Sequence, residues 1–311
     1  MKLLVTGGAG FIGSHVAERL LFLNHEVTIV DNLATGKLEN IPPGANFRKI
    51  DIRHEQLKEV FSEIQPEAVF HLAAHADVTR SVREPAYDAG VNTLGSLNLL
   101  ECCREYGACN IIYSSTGGAL FGEPDYIPVK ETHPVHPISP YGISKHTVEQ
   151  YLFAYHHNHG LDYTVLRYPN VFGPRQDPHG EAGVVAIFAL LMLNGKQPTI
   201  FGDGSKTRDY CYVGDIVEAN IIALNTTAND VYNLGRGIEV SDFEIFETVR
   251  EAVGLDINPI FAPVRPGEVE HIALDASKAE QELGWKWKMD LKAGVAVAVD
   301  HYRETIEKTG A

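Results

Sequence analysis

Tyr141 and Lys145 stand four residues apart in the segment SPYGISKHTVEQYL. Residues at i and i+4 share one face of a helix, so the Lys145 ammonium can stand beside the Tyr141 phenol. A phenol ordinarily ionises near pH ~10, and a neighbouring cation favours its phenolate. The pair therefore reads as a proton-transfer group suited to neutral pH, with Tyr141 carrying the proton and Lys145 setting the charge around it. Far upstream, KLLVTGGAGFIG places Gly7, Gly10 and Gly13 where a short apolar strand meets an apolar helix. A proton-transfer pair and a glycine-rich turn in one chain point together to redox chemistry on a bound dinucleotide.

The three glycines form G-x-x-G-x-x-G, which allows a tight turn and close approach of a pyrophosphate, whose charge meets the helix N-terminus. The next strand, EVTIV, ends in Asp31, roughly 20 residues on, where a carboxylate can meet the adenosine ribose. Asp31 repels a 2′-phosphate, and Asn32 and Leu33 bring no arginine to accept one, so NAD is expected rather than NADP. Asp51, just after FRKI, either addresses the adenine or serves as an ordinary turn aspartate.

These residues need a scaffold, and the first half of the chain supplies one. Short β-rich runs alternate with helical stretches: LLVT, then Phe11 to Asn24; EVTIV; FRKI; His54 to Ile64; AVFHL; Asp88 to Gly107; NIIYSS. That alternation is the pattern of a parallel, doubly wound sheet. A Pro-rich loop, GEPDYIPVKETHPVHPISP, precedes a helix over Pro140 to His159 and the strand YTVLRY. Beyond Asn170 the pattern is less regular, with loops around RQDPHGEAG and FGDGSKTRD and helices near Val184 to Leu193, Asp215 to Leu224, Ser241 to Val253 and in the tail. The expected fold is α/β, a Rossmann-type doubly wound parallel sheet over residues 1–170 with a smaller C-terminal α/β substrate lobe over 171–311 and some crossing of the chain between them.

Composition narrows the function classes. The 311 residues carry 44% hydrophobic side chains and a formal net charge of −15. Such acidity argues against nucleic-acid or anionic-membrane surfaces, which are held mainly by Lys and Arg. No apolar run approaches the ~20 residues of a membrane span. Cys102, Cys103, Cys109 and Cys211 show no C-x-x-C spacing and read as reduced. The glycine turn begins too early to leave room for a signal peptide, so a cytoplasmic location is expected. His156, His157 and His159 fall at a helix end, where positive charge suits the dipole, and no metal site is expected there.

On these residues the chain resembles the extended short-chain dehydrogenase/reductase family and, within it, the nucleotide-sugar 4-epimerases. The resemblance runs nearly the whole length, through GGAGFIG, VDNL, HLAAHADVTRS, VNTLGSLNLLE, YSSTGGALFGE, SPYGISK, RYPNVFGPRQDP, TRDYCYVGDI and DASKAEQELGW. It implies that Tyr141 is the general base and acid, that Lys145 holds the nicotinamide ribose and lowers the Tyr141 pKa, and that Thr116 hydrogen-bonds the sugar hydroxyl being oxidised. It implies a cofactor pocket from Gly7, Gly10, Phe11, Ile12, Gly13, Asp31, Asn32, Asp51, Ile52, Leu72, Ala73, Ala74, Asn92, Ser114 and Tyr168. On the substrate side it implies Asn170, Arg208 and Arg265 at the diphosphate of a UDP-sugar and Glu268 at its ribose, with Arg175 a further candidate. The implied reaction oxidises C4 to a ketone, turns the keto sugar in the pocket and returns hydride to its other face.

Three departures from the family pattern stand out. The stretch TGGALFG is longer by one residue than the common form, which leaves Ser115 as the alternative to Thr116. Tyr212 stands where a histidine is frequent, and Ile272 where residue size governs entry of an N-acetyl group. Related 4,6-dehydratases need an acidic pair where Gly117 and Gly118 stand. A UDP-glucuronate 4-epimerase or decarboxylase of the same family, and a non-catalytic NAD-binding sensor, are the competing readings. The resemblance also implies a homodimer built on Gly95 to Tyr106 and Ser144 to His157, with stripes of Leu97 and Leu100, and of Val148, Leu152 and Tyr155. Those stripes would equally serve to pack each helix on its own sheet.

Overall fold

Strand β1 (Lys2–Thr6) alternates its side chains between the two faces of a central sheet: Leu3 and Val5 enter one core cluster and Leu4 the other. All of these side chains are fully buried, which is what a strand covered by helices on both faces requires. The computed structural model describes residues 1–107, 110–178, 183–226, 228–264 and 269–309. Cys109, Arg265 and Glu268 lie outside the described residues.

After β1 come α1 (Phe11–Phe22), β2 (Glu26–Asp31), β3 (Asn46–Lys49), α2 (Leu57–Ile64) and β4 (Ala68–His71). Three helices follow, α3 (Val78–Arg83), α4 (Pro85–Ala89) and α5 (Gly95–Tyr106), then β5 (Asn110–Thr116), α6 (Pro140–His159) and β6 (Asp162–Tyr168). The remainder is β7 (Asn170–Phe172), α7 (Val184–Leu193), β8 (Thr199–Phe201), β9 (Thr207–Arg208), β10 (Tyr210–Tyr212), α8 (Val213–Leu224), β11 (Asp230–Asn233), β12 (Val240–Ser241), α9 (Asp242–Val253), β13 (Ile260–Ala262) and α10 (Leu291–Thr309).

Seven strands pair in parallel in the order β3-β2-β1-β4-β5-β6-β11. The order reverses direction between β1 and β4, and ligands of such sheets bind at the carboxyl ends of the strands beside that switch. Helices α1 and α8 pack on one face with Val16, Leu20 and Ile216, while α2, α5 and α6 pack on the other with Phe61, Leu100 and Leu152. The seventh strand, Asp230–Asn233, returns to the sheet from beyond residue 170. A separate apolar cluster joins α7, α9 and α10 through Ala189, Phe246 and Val299, beside three short strand pairs, β7 with β10, β9 with β12 and β8 with β13.

Some elements depart from the sequence expectation. The helix expected over Asp88 to Gly107 is divided, with a wider helical turn at Gly90–Leu94 between α4 and α5. The helix expected from His54 starts at Leu57, because Gln56 N–H is taken by the His54 ring at 3.2 Å. The FGDGSKTRD segment contains β9 rather than being all loop. Leu100, Val148 and Leu152 pack on the sheet, whereas Leu94, Ile143, Tyr151 and Phe153 are exposed in the α5–α6 region.

Candidate active site

The glycine turn is closed by backbone. Gly7 has φ +71°, and a Cβ there would lie 2.7 Å from the Ala73 nitrogen. A Cβ on Gly13 would stand 2.2 Å from the Gly7 carbonyl oxygen. The turn thus accepts no side chain at either position. Helix α1 begins at Phe11 with no side-chain cap, so the N–H groups of Phe11, Ile12 and Gly13 have no intrahelical acceptor and face outward with the positive end of the dipole. Leu72 and Ala73 form the adjoining wall, fastened to β1 by Leu72 N–H to the Thr6 carbonyl at 3.2 Å and Ala73 N–H to the Thr6 hydroxyl at 3.2 Å; Ala74 follows, half-buried.

Asp31 ends β2 at 8% exposure and accepts N–H groups of Ala9 at 3.0 Å and Leu33 at 2.8 Å, one on each oxygen. Burial raises its pKa, and the two backbone donors oppose that. A carboxylate has about four acceptor positions, so each oxygen of Asp31 keeps one for a hydroxyl pair. The cradle without side chains, the uncapped helix start and Asp31 together fit a dinucleotide's pyrophosphate and ribose. Asp51 differs: Arg53 donates Nε, Nη2 and backbone N–H to it at 2.8 to 2.9 Å, and Asn32 adds Nδ2 at 2.9 Å. Its acceptor capacity is filled from within the chain, the behaviour of a turn aspartate. Ile52 is buried against Gly95, where an added Cβ would meet it at 2.8 Å.

The proton-transfer group is assembled from three elements. Ser139 caps α6 by accepting Gly142 N–H at 3.2 Å, Pro140 takes the first turn, and Gly160 ends the helix at φ +69°. Tyr141 therefore sits in the first turn, with the Thr116 hydroxyl at the end of β5 near enough to its phenol to lower the phenol pKa. Ser115, the alternative hydroxyl, points instead to Glu149 at 2.6 Å. Lys145 is 2% exposed, and its Nζ lies 4.4 Å from the centre of the Tyr113 ring.

Burial pushes the Tyr141 phenol up to about 12, and the negative charge of Asp88 adds to the rise while the Thr116 hydroxyl lowers it. Burial also brings the Lys145 ammonium down to about 7, against the carboxylates of Glu149 and Asp88. Desolvation is thus the largest effect on both groups.

Sequence reasoning passed over the buried charges behind this pair. Glu149 lies one helical turn beyond Lys145 and binds Arg167 through two contacts, 2.9 Å to Nε and 2.6 Å to Nη2. His146 adds a third partner at 3.0 Å, and the Arg167 guanidinium holds the Glu149 carboxyl down to about 2 against its burial. The i, i+4, i+8 spacing of Tyr141, Lys145 and Glu149 was the available signal. His71 bridges Thr6 and Ser96 at 2.8 Å each and is neutral, since burial brings it down to about 3.

Asn92 was expected at the cofactor. Its amide is used within the chain: Oδ1 accepts His75 N–H at 2.7 Å, and Nδ2 reaches the His75 carbonyl at 2.9 Å, Asp88 at 3.0 Å and Ser144 at 3.2 Å. Ser114 is buried on β5 beside Leu166, and Tyr168 is buried at the end of β6, opposite Thr116, with its hydroxyl donated to Asn220 at 3.0 Å.

On the side of β7, Asn170 Oδ1 stands against Gly118, where an added Cβ would meet it at 3.4 Å. Arg208 donates Nη1 to the carbonyls of Thr207 at 2.8 Å and Glu270 at 3.3 Å, leaving the rest of its fork half-buried beside β12. Arg175 binds Glu18 at 2.7 Å and so braces the loop after β7 against α1. Ile272 is 2% exposed in a small cluster with Phe121, Val129 and Leu274. Leu274 also fills the space beside Gly117, whose Cβ would be 2.2 Å from it. Among the described residues no group of His, Cys, Asp and Glu is arranged to hold a metal ion, and no helix is long and apolar enough to cross a membrane.

A doubly wound sheet with a glycine cradle at one strand end and a Tyr–Lys–Thr cluster at another defines a nucleotide-dependent enzyme of the epimerase and dehydratase class. The chain belongs to the NAD dependent epimerase/dehydratase family, whose model matches residues 3–235. It is similar to the UDP-glucose 4-epimerase of Mycolicibacterium smegmatis, with 42% identity over 97% of this chain and 99% of that one. Among solved structures, the Thermotoga maritima UDP-glucose 4-epimerase with UDP-glucose matches at 49% identity and a TM-score of 0.97, covering 98% of this chain and 100% of that one. The Thermus thermophilus UDP-glucose 4-epimerase in complex with NAD matches at 47% identity and a TM-score of 0.93, covering 97% and 99%.

Proposed function

We propose that this chain is a UDP-glucose 4-epimerase, an NAD-dependent isomerase that interconverts UDP-glucose and UDP-galactose. The observation that carries the reading is Tyr141 in the first turn of α6, with Lys145 one turn along the same helix and Thr116 ending β5 at the carboxyl edge of the sheet. Full-length similarity to UDP-glucose 4-epimerases supports the same substrate.

NAD, when bound, supplies the chemistry of accepting hydride from C4 of the sugar and giving it back. The chain's own groups do the rest. The glycine turn and the start of α1 take the pyrophosphate, and Asp31 takes the adenosine ribose. Thr116 orients the C4 hydroxyl, and Tyr141 removes its proton and later restores it from the same oxygen. Lys145 is buried and Tyr141 half-buried one turn away on the same helix, so the proton is handled at the edge of the core. Asn170 and Arg208, with Arg265 and Glu268, hold the sugar nucleotide, arginine being suited to phosphate by its planar fork. Gly117 and Gly118 offer no acid or base for eliminating water, and Leu274 occupies the space beside Gly117, which argues against a dehydratase.

Residues 1–170 hold the dinucleotide and also carry Thr116, Tyr141 and Asn170, which meet the sugar nucleotide, while 171–311, apart from the returning strand β11, serve the sugar nucleotide. A homodimer would cover the exposed Leu94, Ile143 and Phe153 on the α5–α6 side. Three buried free thiols, Cys102, Cys103 and Cys211, are in keeping with a cytoplasmic enzyme.

The test is to incubate the NAD-loaded protein with UDP-galactose, without added reductant, and follow the products by NMR. UDP-glucose should form, and Tyr141→Phe should slow its formation by about 10³-fold or more, within the range of general acid–base catalysis. No turnover of UDP-galactose would overturn the reading, and turnover of UDP-glucuronate alone would move the chain to another branch of the family.

A further inference from the structure

The charges buried around Tyr141 leave one carboxylate unmatched. Lys145 and Arg167 are cationic groups at 2% and 4% exposure, and Glu149 and Asp88 are carboxylates at 3% and 1%. Glu149 is committed to Arg167 by two hydrogen bonds, with Ser115 and His146 on its remaining positions. Asp88 has no Lys or Arg bonded to it, only His75 at ion-pair distance. Its Oδ1 takes His75 Nδ1 at 3.2 Å and Asn92 Nδ2 at 3.0 Å, while its Oδ2 is buried without a hydrogen-bond partner. A buried carboxylate oxygen in that condition is costly unless a positive charge lies near, and Lys145 is the buried cation without a hydrogen-bonded anion.

The carboxylate is also held firmly in place. Asn92 clamps the backbone of His75 from both sides, at 2.7 and 2.9 Å, and His75 packs edge-on against the Tyr87 ring at 5.3 Å. The same Asn92 amide reaches Ser144, whose hydroxyl donates to the Tyr141 carbonyl at 3.0 Å. The network thus runs from the wall beside the glycine turn, through Asp88, to the first turn of α6. The wider helical turn at Gly90–Leu94 is the element that carries Asn92 in this network.

Resting on the epimerase reading, we propose that Asp88 is a positioning residue for the reaction: a fixed buried negative charge, held by His75 and Asn92, that keeps Lys145 cationic and biases Tyr141 toward its protonated form between the two proton transfers. The titratable and charged groups around this site are His71 and His75 from the β4 edge, Glu84 and Tyr87 from the α4 region, Tyr113 from β5, Tyr141, Lys145, His146 and Glu149 from α6, and Arg167 from β6. Glu149 is the larger charge favouring the protonated forms of Tyr113 and Lys145, and the Asp88 charge adds to it there and is the leading charge on Tyr141.

The test compares the pH profile of kcat/KM for UDP-galactose in wild type, Asp88→Asn and Asp88→Glu. Removing the charge lowers the pKa of both Tyr141 and Lys145. Both limbs of the profile should therefore move toward acid in Asp88→Asn, by about one pH unit for a buried charge at short range, while Asp88→Glu keeps them near wild type. A fall in kcat with both limbs in place would overturn the proposal, since loss of packing alone does not move them. A second measurement needs no substrate: the Lys145 titration, followed by NMR of nitrogen-labelled lysine and assigned with Lys145→Met, should move to lower pH by a similar amount. Should Asp88→Asn not fold, Asp88→Ser removes the charge without overfilling the site and carries the same expectation. A wild type without epimerase activity would sink the functional reading, and the Lys145 titration would still decide the role of Asp88.

Discussion

At the start of α1, charge is to be met by backbone. Gly7, Gly10 and Gly13 bring N–H groups close together, and the residues involved, Asp31 excepted, span a single strand–helix junction. Around Tyr141, charge is met by side chains drawn from β4, α4, the Gly90–Leu94 turn, β5, α6 and β6, each oriented by another buried side chain. The first site excludes atoms, and the second balances charges. Their weaknesses should differ accordingly: the turn cannot accept a larger residue, whereas the cluster cannot lose a charge even when the shape is kept.

Glu149→Gln tests the second half of that contrast most severely. It keeps the volume of the side chain and leaves Arg167 buried with its anion gone, and half-broken buried pairs of this kind cost about 3–5 kcal/mol. Denaturant unfolding should show that loss, and an unchanged midpoint would mean that the pair is not structural. Because Glu149 is held down to about 2 when folded and titrates near 4.5 when unfolded, its contribution is present above the unfolded value and is lost as pH falls toward the folded one. The wild-type curve should therefore lose stability over that acid range, and Glu149→Gln should lose less there.

Gly13→Ala attacks the turn instead. The added carbon would stand 2.2 Å from the Gly7 oxygen, so the turn must open, at a cost of roughly 2–3 kcal/mol. The cofactor retained after gel filtration, read by absorbance and fluorescence, should fall sharply while the far-ultraviolet circular dichroism persists. Full retention would show that the turn yields more easily than its geometry implies. The smallest effect is expected at Ser139→Ala, which removes the cap of α6 and costs about 1 kcal/mol. Thermal melting should register it, with turnover of UDP-galactose little changed, because Pro140 still starts the helix.

The two regions were also unequally legible. G-x-x-G-x-x-G and Asp31 announce themselves because local backbone geometry and a short sequence interval set their relation. Tyr141 and Lys145 were readable for the same reason, since a helix converts a spacing of four into neighbours. Asp88, His71 and Arg167 carried no comparable signal. Each is an ordinary charged or polar residue in sequence, and only the packing of separate elements made it a buried group requiring a partner. Asn92 shows the intermediate case: its position in VNTLG pointed to the cofactor, whereas its amide proved to be engaged with His75, Asp88 and Ser144.

By itself the sequence determined the alternation of strands and helices, the parallel sheet, the glycine cradle and the Tyr–Lys helix, all of which depend on periodicity and local backbone freedom. Tertiary structure alone decided that Ser115 is spent on Glu149, that Asp51 is spent on Arg53, and that desolvation is the largest effect on both Lys145 and Tyr141. Those outcomes depend on which side chains lose water together, a property of residues distant in the chain and adjacent only once it is folded.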